Sequence, residues 1–235
     1  MSRLLNQIKN SLIVSCQALE GEPLHSSYIM SKMALAAFQG GAAAIRANSK
    51  EDILAIKKEV PLPVIGIVKR NYPGSEVFIT PTKKEMDELF AANCDMIALD
   101  ATQRKRPGGV SLADLVAYAR EKAPEVKLMA DVSGLEDALQ AEQLGFDCIS
   151  TTLYGYTEET SGKRIYDDDF SFLKLLLKEI RIPVIAEGNI ITPEMAAKAI
   201  SLGAHAVVVG GAITRPQLIT QRFVNSIKNQ MRAEK

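Results

Sequence analysis

PVIGIVKR, residues 63–70, is an apolar run that ends on two cations. A short, almost purely apolar stretch rich in Val and Ile is what a parallel strand covered on both faces requires. Such strands commonly give way to Gly, Asn or Asp, whereas this one gives way to Lys69 and Arg70. Working outward, the same pattern recurs in SLIVSCQ (11–17), AAAIRAN (42–48), MIALDAT (96–102) and KLMADVS (127–133). It returns in CISTTLYG (148–155), PVIAEGN (183–189) and AVVVGGA (206–212), which makes eight strand-like runs.

Stretches of helical period lie between most of these runs. SSYIMSKMALAAFQGG ends in glycines of the kind that close helices. TKKEMDELFAANC opens with Thr82 and Glu85, and SGLEDALQAEQLG opens with Ser133 and Glu136, both at capping-box spacing. TPEMAAKAISLGA offers Thr192 as N-cap and Pro193 at the first helical position. Eight βα units in 235 residues predict a single-domain (β/α)8 TIM barrel spanning residues 1–235. An open doubly wound sheet is the alternative, but no GxGxxG follows the first run.

Composition narrows the partners. Hydrophobic residues are 47% and charged residues 24%, with 28 acids against 28 bases and no basic cluster. Nucleic acid and anionic membranes are therefore not expected partners. No apolar run approaches the ~18 residues of a membrane span. The opening MSRLLNQIKN lacks a signal-peptide core, so a cytoplasmic location is expected. Cys16, Cys94 and Cys148 read as reduced, mostly buried thiols. No His/Asp/Glu cluster has metal-ligand spacing, and the sequence calls for no cofactor.

In a barrel of this kind the reacting groups stand at the C-terminal ends of the strands. The polar residues that close the apolar runs are Gln17, Arg46, Lys69, Asp100, Asp131 and Glu187. Gln17, Lys69, Asp131 and Glu187 belong to runs one, three, five and seven. Alternate strands share a layer, so these four are expected to form one polar layer across the mouth. Buried charge is costly unless paired, which makes a purely structural layer of this kind an expensive plug. Asp100 is the weaker candidate, because the polar loop ATQRKRPGG follows it.

A phosphate hold is expected beside that layer. Gly188 and Asn189 follow run seven, Gly210 and Gly211 follow run eight, and Arg215 comes shortly after. Glycine loops let backbone N–H groups approach an anion, and a guanidinium adds a charge-assisted bond. Of the two histidines, His205 precedes run eight and so belongs at the opposite end of the barrel. Ser150, Thr151 and Thr152 lack a neighbouring histidine, which argues against a serine-type nucleophile. Tyr154 either contacts substrate through its hydroxyl or packs in a lid.

These stretches together resemble the N-acylglucosamine-6-phosphate 2-epimerase family over essentially the whole chain. The resemblance is carried by SLIVSCQALEGEPL (11–24), AAAIRAN (42–48), VIGIVKRNY (64–72), ALDAT (98–102) and ADVSGLEDAL (130–139). STTLYGYT (150–157), PVIAEGNI (183–190) and VVVGGAITRP (207–216) complete it. It implies conversion of N-acetylmannosamine 6-phosphate to N-acetylglucosamine 6-phosphate in sialic-acid breakdown, by a homodimer acting on a small sugar phosphate. It also implies that Gln17, Arg46, Lys69, Asp131 and Glu187 serve substrate binding and catalysis, with Arg215 and the glycine loops at the phosphate.

Inverting carbon 2 needs a base, a proton donor toward the opposite face, and stabilisation of charge growing on oxygen 1. Lys69 is assigned as acid/base at carbon 2 and Glu187 as its partner. Asp131 is expected to hold substrate hydroxyls and tune the lysine, and Gln17 and Arg46 to polarise substrate atoms. A lysine base near neutrality needs its pKa brought down by about three units. Burial lowers it but carboxylates raise it, so two acids in the layer are expected to keep Lys69 cationic until substrate binds. Two alternatives use the same residues: a Schiff-base aldolase acting on a sugar phosphate, and a non-catalytic sugar-phosphate binder.

Overall fold

A computed structural model describes residues 2–233. Eight parallel strands close into a barrel in chain order. They are β1 (Leu12–Cys16), β2 (Ala44–Asn48), β3 (Val64–Ile67), β4 (Met96–Asp100), β5 (Lys127–Asp131), β6 (Cys148–Ser150), β7 (Val184–Ala186) and β8 (Ala206–Val209). Helices α2 (Ser27–Gln39), α3 (Lys50–Glu59), α4 (Lys83–Ala91) and α5 (Leu112–Lys122) follow the first, second, third and fourth strands. Then come α6 (Leu135–Gln143), α7 (Asp167–Glu179), α8 (Pro193–Ser201) and α9 (Pro216–Ala233). The (β/α)8 expectation is met.

Strand side chains sort by parity into two apolar clusters. Ile13, Ala44, Ile65, Met96, Met129 and Ile185 fill the barrel interior. Val14, Ile45, Val64, Ile97 and Leu128 face the other way, against Met30, Ile53, Met86 and Leu115 of the helices. Both faces being covered explains why the strands read as unbroken apolar runs. Each buried Ile or Val contributes roughly 1.5–3 kcal/mol. Gly66 faces outward, where an added Cβ comes to 2.8 Å from Leu89 Cδ2. Glycine there is what lets α4 approach β3 closely.

A short helix absent from the sequence reading, α1 (Arg3–Ile8), closes the N-terminal end of the barrel. It buries Leu5 and Ile8 against the interior cluster. His205 sits at that end, its Nε2 bonded to Leu5 O at 2.7 Å.

Thr82 and Glu85 form the expected capping box on α4, and Thr192 caps α8 with Pro193 at its first position. At α6 the capping carboxylate is Asp137, one residue past the expected Glu136, and it accepts the Gly134 N–H at 3.1 Å. The sixth strand stops at Ser150 rather than Gly155. There the chain turns, with Tyr154 N–H donating to Thr151 O at 3.1 Å and Tyr156 N–H to Leu153 O at 2.9 Å. No helix among the described residues is long and apolar enough to cross a membrane.

Candidate active site

Arg46 lies at the centre of the C-terminal mouth. It projects from the middle of β2 into the barrel, 1% exposed, and its guanidinium reaches across to β5 and to the residue after β7. Nη1 and Nη2 grip Asp131 as a fork, 3.0 Å to Oδ1 and 2.5 Å to Oδ2. Nη1 also meets Glu187 Oε2 at 2.5 Å. One guanidinium between two carboxylates offsets part of their charge, which lowers the cost of burying all three. The expected layer therefore has an even-strand member at its heart. Arg46 and Asp131 form its floor and do not line the open cavity above.

That cavity, about 430 Å3, is lined by Gln17, Lys69 and Glu187 together with Gly188, Asn189, Gly210, Gly211 and Arg215. Lys69 reaches it because the chain after β3 doubles back on itself. Arg70 N–H bonds Phe78 O at 2.9 Å and Thr80 N–H bonds Val68 O at 2.8 Å, with Lys69 bridged to Ile79. Arg70 turns away and pairs with Glu85 and Glu88 of α4. The two cations that end β3 thus divide the labour: one anchors the hairpin and the other enters the mouth. Phe78 and Ile79 of the same hairpin form a wall of the cavity that the sequence reading did not include.

Among the described residues, Lys69 Nζ takes part in no hydrogen bond or ion pair. Its pKa is brought down from 10.5 to about 8, first by burial, then by the charges of Arg46 and Arg215, against an opposing pull from Glu187 and Asp131. This corrects the expectation that the two acids dominate. Arg46 and Arg215 oppose their pull, so burial prevails. At pH 7 the amine is still about ten to one cationic.

Glu187 has the complementary bias. Burial pushes its carboxyl upward, Arg46 draws it down, and Asp131 adds to the rise, leaving it above the usual carboxylate range. Its hydrogen bonds fall on one oxygen: Oε2 takes Arg46, Thr152 Oγ1 at 3.0 Å and Ser150 Oγ at 3.2 Å. Among the described residues Oε1 has no partner, in a side chain that lines the cavity. Gln17 repeats the theme. Its Nε2 donates to Ser15 Oγ at 2.7 Å, while its buried Oε1 has no partner.

The glycine loops lie at the other side of the cavity. Gly188 has φ 100° and Asn189 φ 56°, a left-handed pair that turns the backbone into the mouth. Arg215 is present but shares its charge with Glu22, 3.2 Å away. Arg222 of α9 also lines the cavity and donates to Ile191 O at 3.3 Å. It was hidden from the sequence reading inside an amphipathic stretch.

Other candidates separate from the site. Tyr154 is not part of the cavity wall; its ring stacks on Phe172 with centroids 4.0 Å apart, while Tyr156 lines the mouth. Asp100 is buried but committed to Thr102 and to Arg104, 2.6 Å away. Among the described residues no three His, Cys, Asp or Glu side chains are grouped to hold a metal ion.

An amine and a carboxyl with converging pKa values, over an ion-paired floor and beside a glycine-lined rim, define a proton-transferring (β/α)8 barrel with a place for an anion. The chain belongs to the family described as "Putative N-acetylmannosamine-6-phosphate epimerase", whose model matches residues 30–229. A relative from Oceanobacillus iheyensis, named "Putative N-acetylmannosamine-6-phosphate 2-epimerase", is 69% identical over 94% of this chain and all of its own length. One of the same name from an Enterobacter species is 61% identical over 97% of each chain. The solved N-acetylmannosamine-6-phosphate 2-epimerase of Clostridium perfringens superposes with a TM-score of 0.91 at 56% identity, covering 95% of this chain and 96% of its own.

Proposed function

We propose that residues 1–235 act as one catalytic domain that interconverts N-acetylmannosamine 6-phosphate and N-acetylglucosamine 6-phosphate by moving protons at carbon 2. One observation carries this reading: a lysine brought down to about 8 and a glutamic acid raised by burial, each with an uncommitted polar atom, line the same cavity. Groups whose environments draw their pKa values toward neutrality are suited to exchange protons with a weak carbon acid.

Carbon 2 is acidic only when carbon 1 is a carbonyl, so the open-chain sugar is the reacting form. Lys69 serves one face and Glu187 Oε1 the other. The ammonium–carboxylate form starts one direction, and its tautomer, neutral amine with carboxylic acid, starts the reverse. When the carbon 2 proton reaches Glu187, the set of Arg46, Lys69, Asp131 and Glu187 carries one net positive charge. That charge faces the negative charge forming on oxygen 1. Gln17 Oε1 accepts the acetamido N–H or a hydroxyl. The glycine loops, Arg215 and Arg222 hold the phosphate, whose binding energy fixes the reacting end. Arg46 and Asp131 act from the floor by fixing Glu187.

The test is proton NMR of N-acetylmannosamine 6-phosphate in D2O with the purified chain. Product formation is expected, accompanied by deuterium at carbon 2; the absence of both refutes the reading. A Schiff-base lyase has one observation in its favour, the depressed lysine itself. Borohydride trapping separates the two, since an epimerase forms no reduced Lys69 adduct.

A homodimer in the cytosol is the expected working form. Phe223, Ile227 and Met231 of α9 are 70%, 62% and 62% exposed, and an apolar row of this kind supports coverage by a second copy. Sedimentation of the wild type and of Phe223→Glu tests it: a monomeric wild type refutes the dimer.

A further inference from the structure

Three hydroxyls follow one another at the end of β6, and the mechanism above uses none of them. Thr151 pins the backbone of Glu187, accepting its N–H at 2.9 Å and donating to its carbonyl at 2.7 Å. Ser150 and Thr152 meet its carboxylate instead. Thr152 Oγ1 lies 2.7 Å from Asp131 Oδ1, 3.0 Å from Glu187 Oε2 and 2.8 Å from Ser150 Oγ. It also accepts from Arg46 Nη1 at 3.2 Å.

A threonine hydroxyl owns one hydrogen. With Arg46 occupying an acceptor site on its oxygen, Thr152 has a single donor to share among three acceptors, two of them carboxylates. Ser150 has the same choice between Thr152 and Glu187 Oε2, 3.2 Å away. Rotation about the Thr152 Cβ–Oγ1 bond is enough to carry that hydrogen from one carboxylate to the other.

We propose that Thr152 is a positioning residue that turns its O–H to Glu187 Oε2 while Glu187 is a carboxylate, and to Asp131 Oδ1 once Glu187 Oε1 has taken up a proton. The proposal rests on the epimerase reading and adds to it the group that steadies Glu187 in both protonation states. The proton balance is simple: one proton leaves carbon 2 for Oε1, Lys69 returns one to the opposite face, and the Thr152 hydrogen only changes its acceptor. Locking that hydrogen to either carboxylate favours one direction; leaving it free serves both.

The charged groups facing Glu187 are Arg46 from β2, Lys69 from beyond β3 and Asp131 from β5. From β1 and β8 the facing residues are the neutral Gln17 and Gly210, and Arg215 beyond β8 is tied to Glu22. Asp100 of β4 is engaged by Arg104. Thr152 and Ser150 are thus the neutral donors on the carboxylate, and a donor to the charged form lowers a carboxyl pKa.

The experiment is the pH profile of kcat/KM for wild type, Thr152→Val and Thr152→Ser on N-acetylmannosamine 6-phosphate. The wild-type profile is expected to be a bell whose acid limb belongs mainly to Glu187 and whose basic limb belongs mainly to Lys69. Thr152→Val keeps the shape and loses the hydroxyl, so the acid limb moves up by about one pH unit while the basic limb stays. Thr152→Ser restores the wild-type limb. An unmoved acid limb in the valine variant overturns the proposal, whatever happens to kcat, and so does a serine variant that behaves like valine. If circular dichroism shows Thr152→Val unfolded, Ser150→Ala carries the test, with an acid-limb rise of about half a unit expected and none overturning it. A wild type without turnover removes the epimerase reading and this inference together, whereas an active wild type with an unmoved limb removes the inference alone.

Discussion

The two ends of the barrel carry similar chemistry to opposite purposes. At the N-terminal end, carboxylates bond a strand N–H and a cation at once. Asp147 accepts from Leu128 N–H at 2.8 Å and pairs with Arg120 at 2.8 Å; Asp95 accepts from Val64 N–H at 2.9 Å and pairs with Lys57 at 3.0 Å. Each acid fixes the start of a neighbouring strand. At the C-terminal end the pairing stops short: among the described residues Lys69 Nζ, Glu187 Oε1 and Gln17 Oε1 have no partner, in three side chains that line the cavity. Closed polar networks rigidify, whereas incomplete ones cost stability and leave valences for a ligand.

Removing Lys69 breaks this comparison most severely. Lys69→Met is expected to lower kcat by about 10³-fold, the scale of a lost acid–base group, while phosphate-dependent binding survives. The same variant is expected to be more stable at pH 7. The folded pKa of about 8 lies below the unfolded value, so below pH 8 holding the ammonium in the fold costs up to about 3 kcal/mol. As pH rises from 8 toward 10.4 the unfolded chain binds more protons than the folded one, the wild type gains stability, and the advantage of Met disappears. Denaturant melts at pH 7 and pH 10 read this directly; an unstabilised Met variant at pH 7 refutes the idea that the open end is stability given up for function.

Arg46 comes next. Arg46→Ala leaves Asp131 and Glu187 buried without the guanidinium that pairs with both, which is expected to cost about 3–5 kcal/mol and roughly 10 °C in Tm. A drop of less than about 1 kcal/mol in a denaturant melt contradicts the account of the floor as an ion-paired plug.

How far the sequence reached follows from the same contrast. Strands covered on both faces leave a one-dimensional trace, so PVIGIVKR and its seven counterparts marked the barrel. Lys69 and Glu187 were visible because each interrupts an apolar run at its end. Depth was not visible. An arginine side chain spans several residues' height, and nothing in AAAIRAN says that Arg46 crosses the barrel and claims both carboxylates. The balance at Lys69, with burial outweighing the acids, was hidden for that reason. Thr152 was weighed only as a nucleophile, since a hydroxyl shared by two acids depends on rotamers across strands. The sixth strand was drawn too long because Thr, Leu and Tyr suit a pleated surface, while hydrogen bonds at 151–156 make turns. The α1 plug offered only Leu4, Leu5 and Ile8, too few apolar positions to declare a helix.

A smaller effect is expected from pH alone. Wild-type kcat/KM should fall above about pH 8, tenfold for each further unit, as the ammonium that supplies one of the two protons is lost. A basic limb nearer 10 means that Lys69 keeps an ordinary pKa and that the carboxylates reach it after all.

The smallest effect tests the closed end. Asp147→Ala removes the acceptor of the buried Leu128 N–H and the partner of Arg120. An unmet buried donor costs about 1–3 kcal/mol, and the partly exposed ion pair adds little. The cost should appear in a denaturant midpoint while kcat and KM stay at wild-type values, because Asp147 lies below the apolar layers of Met129 and Cys148 that separate the two ends. If activity falls along with stability, those layers do not insulate the mouth. The barrel then works as one coupled network, and an open end and a closed end are no longer separable properties of the fold.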